Sequence, residues 1–185
     1  MDSVISQEML DRIGVYQHGV IDTDSIGFHT EVRKMCEDNV CRNYGKTWAC
    51  PPGVGTLDEC RARLQKYDKM LLFSVKYDLE DSFDFEGMKD AMREFKVVSR
   101  NLSEEVEPYL SDYLVLSNEG CGICESCTYP DNPCRFPDKL QESIEGYGIF
   151  VSKVAQKAGI RYINGANTVT FFGGLLYNDV DIIKK

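Results

Sequence analysis

Eight cysteines constrain this chain more than any other feature. Cys36, Cys41, Cys50 and Cys60 form one group of four over residues 36–60, and Cys121, Cys124, Cys127 and Cys134 a second over 121–134. The 60 residues between them, Arg61 to Gly120, contain none. An even count can mark a disulfide framework in a secreted chain. At 185 residues, however, a chain buries enough apolar surface to fold without such staples. Its opening, Met1-Asp2-Ser3-Val4-Ile5-Ser6-Gln7-Glu8, has neither the basic region nor the apolar stretch of a signal peptide. The expected location is therefore cytoplasmic, where clustered thiols are better read as metal ligands than as disulfides.

The second group carries the stronger signal. Gly120-Cys121-Gly122-Ile123-Cys124-Glu125-Ser126-Cys127 is C-x2-C-x2-C, and Cys134 follows after six residues. Three thiolates at successive i+3 positions can hold three corners of one cubane, with a more distant cysteine at the fourth. Gly120 and Gly122 let backbone amides approach the sulfurs, and Arg135 adds a cation nearby. Four-cysteine zinc sites usually come as two separated knuckles, so three cysteines in one loop fit zinc less naturally.

The first group is spaced more loosely, as Cys36-x4-Cys41-x8-Cys50. Its flanks strengthen it. Pro51-Pro52 stiffens the chain after Cys50, and Asn43-Tyr44-Gly45-Lys46 is a turn able to bring Cys41 and Cys50 together. Arg33, Lys34, Arg42 and Lys46 make a basic island there, suited to an anionic centre but equally readable as solvated loop cations. Cys60 has two readings. It completes the count of four ligands, yet it sits on the apolar face of a helix, where a thiol behaves as a small hydrophobe. Without Cys60, one iron would be left open to bind a small molecule as a Lewis acid. Trp48 is read chiefly as an anchor of this loop.

The rest of the chain alternates helices with short strands. A loose amphipathic helix is expected around Val4 to Ile13, and a possible extended stretch between Ile21 and Val32. Thr56-Leu57-Asp58-Glu59 is a capping box, with Leu57, Cys60, Leu64 and Tyr67 on the buried face that follows. Met70 to Val75 and Tyr113 to Leu116 read as strands. Between them, Phe85, Met88, Met92, Phe95, Val98 and Leu102 define a long amphipathic helix ending near Pro108. Asp78 to Asp112 holds eleven acidic residues against four basic ones, read as a solvated outer face. Leu140 to Ala155 is expected to be helical with a break at Gly146 and Gly148, and Gly159 to stop it. Asn164-Gly165 between Arg161-Tyr162-Ile163 and Thr168 to Phe172 predicts a hairpin. The expected architecture is α+β (mixed α/β possible): a small sheet with packed helices and two cysteine-rich cluster-binding loops. No linker divides it, so residues 1–185 read as a single domain.

Composition removes other classes. A formal charge of -9 argues against a nucleic-acid binder, and no apolar run is long enough for a transmembrane helix. There is no P-loop and no G-x-G-x-x-G, while His18 and His29 lie away from the cysteine motifs. No catalytic residue stands out.

Several blocks resemble a bacterial and archaeal family of predicted metal-binding proteins, a domain of unknown function. They are Val32 to Cys36, Tyr44 to Pro52, Cys121 to Cys127, Pro133-Cys134-Arg135-Phe136-Pro137 and Ser143 to Ile149, in the same order. The resemblance implies a metal-binding, iron–sulfur protein of anaerobic metabolism. The family's pattern, as the resemblance implies it, includes seven of the cysteines and leaves Cys60 open. The expectation is two [4Fe-4S] clusters relaying electrons to a redox partner protein. The alternatives are an enzyme with an open iron at Cys36, Cys41 and Cys50, and a zinc-stabilised binding module.

Overall fold

The computed structural model describes residues 5–118 and 120–179. In chain order the elements are α1 (Gln7–Ile13), β1 (Gln17–Asp22), α2 (Thr30–Glu37), α3 (Leu57–Leu64), β2 (Lys69–Asp78), α4 (Phe85–Val106), β3 (Tyr113–Ser117), β4 (Glu142–Ser143), α5 (Val151–Lys157) and β5 (Thr168–Tyr177). Short 3-10 turns occupy Thr23–Ser25, Pro137–Lys139 and Glu145–Tyr147. The five strands form one mixed sheet in the order β1-β2-β5-β3-β4, an α+β architecture. Only the β3–β4 pair is parallel.

Strand β2 shows why helices cover both faces. Met70 and Leu72 point to one side, among Leu64, Tyr147, Val154 and Leu176; Leu71, Phe73 and Val75 point to the other, among Leu10, Phe95 and Leu102. This period-2 alternation with apolar residues on both faces is the pattern of a strand buried on both sides. Phe73 and Phe95 stack with centroids 5.8 Å apart, and both are fully buried, each side chain stabilising the fold by about 1.5–3 kcal/mol. Gly173 and Gly174 are required by this packing. A Cβ on Gly173 would lie 2.4 Å from the Phe73 ring and 2.9 Å from the Leu116 carbonyl oxygen, and one on Gly174 would lie 2.1 Å from Cε of Met70.

The helix begun by Thr56 forms as its capping box dictates, with Glu59 N–H bonded to Thr56 Oγ1 and Glu59 Oε2 accepting from Thr56 N–H. Helix α4 also forms, but its buried stripe starts at Ala91. Phe85 is 65% exposed, and the outer face carries the exposed ion pairs Lys89–Glu86 and Arg93–Asp90.

Three expectations are corrected. The possible extended stretch from Ile21 to Val32 ends at Asp22, and residues from Thr30 onward are helix α2, turned so that Val32 is buried. The segment from Leu140 to Ile149 forms no α-helix, only the 3-10 turn at Glu145–Tyr147. Glu142–Ser143 adds to the sheet beside β3, Ser143 N–H donates to Ala49 O at 2.8 Å, and Ile144 N–H donates to Ser117 O at 2.8 Å. Backbone partners far away in sequence override the local periodicity. Only Val151–Lys157 becomes helix, with Gly159 following at φ +71°. The predicted hairpin is also absent: β5 lies between β2 and β3, and Arg161–Ile163 forms no strand, with Arg161 N–H donating to the side-chain Oε1 of Gln17 in β1 at 2.8 Å. Tyr162 instead stacks on Phe172 at 5.2 Å.

Among the described residues, no helix is long and apolar enough to cross a membrane.

Candidate metal centres

Cys36 lies in the last turn of α2, Cys41 in the loop that follows, and Cys50 at that loop's end. The loop folds back on itself. Asn39 and Arg42 take φ of 54° and 64°, Tyr44 N–H donates to Asn39 Oδ1 at 3.0 Å, and Gly45 N–H donates to Pro51 O at 2.9 Å. Lys46 N–H closes the expected turn on Asn43 O at 3.2 Å. All three thiols line one cavity of about 770 Å³, together with Tyr44, Asn118 and Glu145. Burial pushes the Cys36 thiol up to about 11; Glu145, Cys50 and Cys41 push the same way, and Arg33 opposes them.

Cys60 does not line that cavity. It is fully buried on α3, with Sγ donating to Val54 O at 3.6 Å and Arg63 Nη2 approaching Sγ at 3.4 Å. Burial raises its thiol pKa, and Arg63 and Arg33 act in the other direction. Arg33 also turns inward, donating to Gly146 O at 2.5 Å and Gly55 O at 2.7 Å. One member of the basic island is therefore a structural tie.

Cys121, Cys124, Cys127 and Cys134 line a second cavity, of about 750 Å³. Burial raises the Cys121 thiol pKa, while backbone hydrogen bonds from Ile123 and Gln141 and the Lys96 charge favour its thiolate. Among the described residues, five cations line this cavity, Lys46, Arg93, Lys96, Arg100 and Arg135, against one carboxylate, Glu125. In a chain of charge -9, that local excess favours anionic contents. Arg135 is held by Ser126 O at 2.8 Å. Trp48 belongs to this cavity although it precedes Cys50 in sequence. It meets the Tyr129 ring edge-on at 4.9 Å and donates to Asn132 O at 3.2 Å, which anchors the first loop to the second.

The two cavities share a wall at the end of β3. Gly120 N–H donates to Cys50 Sγ at 3.2 Å, and the next residue is Cys121. Gly120 takes φ +67°, a left-handed conformation that glycine adopts without Cβ strain. Lys96, only 6% exposed, fixes this wall from α4, donating to Ser117 Oγ at 3.2 Å, Asn118 O at 2.8 Å and Gly120 O at 2.7 Å.

Sequence reasoning missed Lys96, Asn118 and Glu145. Lys96 left a trace, because it follows Phe95 and stands four residues after Met92 on the apolar stripe. Asn118 and Glu145 left none. Among the described residues, no three His, Cys, Asp or Glu side chains converge closely enough to hold a single metal ion. The thiols are instead spread around two cavities.

An α+β sheet protein with seven thiols gathered at two adjoining cavities falls in the class of cysteine-rich metal-binding proteins. The family model described as "Predicted metal-binding protein (DUF2284)" matches residues 19–177, and the chain belongs to that family, a metal-binding family of unknown function. No curated protein and no solved structure matches the chain.

Proposed function

We propose that this chain binds two [4Fe-4S] clusters, one at each set of thiols, and relays electrons to a redox partner protein in anaerobic metabolism. The observation that carries the reading is the shared wall. One hydrogen bond and the backbone from Gly120 to Cys121 connect the Cys50 sulfur to the second set of thiols, a short route for an electron. The donor sets fit such groups. The second cavity offers four thiols, amides that bond the Cys121 sulfur, and five cations to balance a negative cluster. Thiols spread around a cavity also suit a many-atom cluster better than a single zinc ion, which needs four donors about one point. The anaerobic setting is supported by the family resemblance.

When bound, the clusters would supply reversible one-electron chemistry. The chain's own work is to hold the sulfurs, shield them with Trp48 and Tyr129, and fix Gly120 between the two sites through Lys96. The test is the content of iron, acid-labile sulfide and zinc in protein purified without oxygen, followed by reductive titration. About eight irons with equal sulfide per chain and reversible reduction are expected. Zinc without sulfide, or clusters that accept no electron, would overturn the proposal.

A second reading is favoured by the position of Cys60. With Cys60 packed away from the cavity, Cys36, Cys41 and Cys50 leave one iron without a cysteine, open to a small molecule.

A further inference from the structure

The cavity around Cys36, Cys41 and Cys50 extends well past the thiols. It continues along Phe85 and Met88 at the start of α4, over Phe150, and out to Tyr162 and Phe171, none of which is a cysteine. A cavity of about 770 Å³ with apolar walls and a few convergent polar groups has the size and character of a small-molecule site. An inorganic cluster alone has no use for the aromatic extension.

A buried amide stands in this apolar setting. Asn118 is 5% exposed and lines the cavity, and neither its Nδ2 nor its Oδ1 has a hydrogen-bond partner among the described residues. Leaving a buried donor and acceptor unsatisfied forfeits the hydration that both groups had in the unfolded chain. A bound molecule presenting both an acceptor and a donor recovers that loss. The charges select further: among the described residues, the cavity lining includes Glu145 and three thiols and no Lys or Arg. An anionic head group is disfavoured there.

We propose that this cavity is a binding site for an uncharged organic molecule with an aromatic or branched apolar body and an amide head that pairs with Asn118. The proposal builds on the reading that the three thiols hold a metal centre, with the ligand seated beside it. The two fail separately, since iron content reports on the centre and ligand titration reports on the site.

Benzamide and its anionic counterpart benzoate are titrated into anaerobically purified protein by calorimetry. The electron paramagnetic resonance spectrum of the reduced protein is recorded with and without benzamide. Saturable benzamide binding is expected at one per chain, with benzoate weaker by at least tenfold and the spectrum of one cluster altered. Asn118→Ala should weaken benzamide by about tenfold, the size of a lost hydrogen-bond pair. Phe85→Asp, at an exposed position that leaves the core intact, should weaken it too and decides the matter where Asn118→Ala fails to fold. No saturable binding to iron-loaded protein would overturn the proposal, as it would if the rim serves a protein partner. So would equal affinity for benzoate, or unchanged affinity in Phe85→Asp. Benzamide binding to a preparation lacking iron would keep the ligand site and remove the metal centre beside it.

Discussion

Spacing and flanking residues grouped seven of the eight cysteines as the structure does, three around one cavity and four around the other, because such spacing is a local property of the chain. Cys60 could not be placed this way, because its role depends on which way α3 faces. The structure turns its sulfur toward Val54 O and Arg63, within the core. Cys60→Ala is therefore expected to leave iron content unchanged and to lower stability by about 1 kcal/mol, the ordinary size of a small core truncation. Cys50→Ser should instead remove the iron of the first centre. Iron analysis beside thermal unfolding of the two variants checks this, and loss of iron from Cys60→Ala would make it the fourth ligand. Lys96 and Asn118 belong to the same scale. Their roles come from β3 passing beneath α4, which no local pattern records.

At the scale of elements, legibility followed how local the deciding interactions are. The capping box and the doubly buried β2 each rest on residues within a few positions of one another, and each formed as read; α4 formed too, but its buried face begins at Ala91 and leaves Phe85 exposed. Strand β4 and the position of β5 rest on partners from distant parts of the chain, and both were misread. The capping box also gives a pH prediction. The Thr56 backbone N–H and hydroxyl hold the Glu59 carboxyl below the usual carboxylate range. A carboxyl depressed in the folded state contributes stability that is present above its unfolded pKa and lost as pH falls through its folded value. Thr56→Ala should lower the melting temperature by about 2–4 °C near neutral pH, the usual effect of losing a helix cap. The gap between variant and parent should narrow on acidification, measured by thermal melts across the acid range. A gap independent of pH would mean that the bond from the Thr56 hydroxyl to the Glu59 carboxylate contributes nothing, the backbone N–H of residue 56 being present in both proteins.

At the scale of the whole molecule, the informative feature is that two sites 70 residues apart in sequence meet at one peptide, where Gly120 N–H bonds to Cys50 Sγ. The charge distribution separates them. Cations line the second cavity, whereas the first is apolar with a carboxylate, so a cluster in the second is expected to be easier to reduce. Closeness predicts something further. In fully reduced wild-type protein the unpaired spins of two adjoining clusters should interact and broaden the electron paramagnetic resonance spectrum. Cys36→Ser and Cys124→Ser should each retain about half the iron and give the simple spectrum of one isolated cluster. If the wild-type spectrum is only the sum of the two variant spectra, the two clusters do not adjoin as the shared wall at Gly120 requires. If it is more than that sum, the clusters lie within spin-coupling distance across that wall, and the order of their reduction gives the downhill direction for an electron between them.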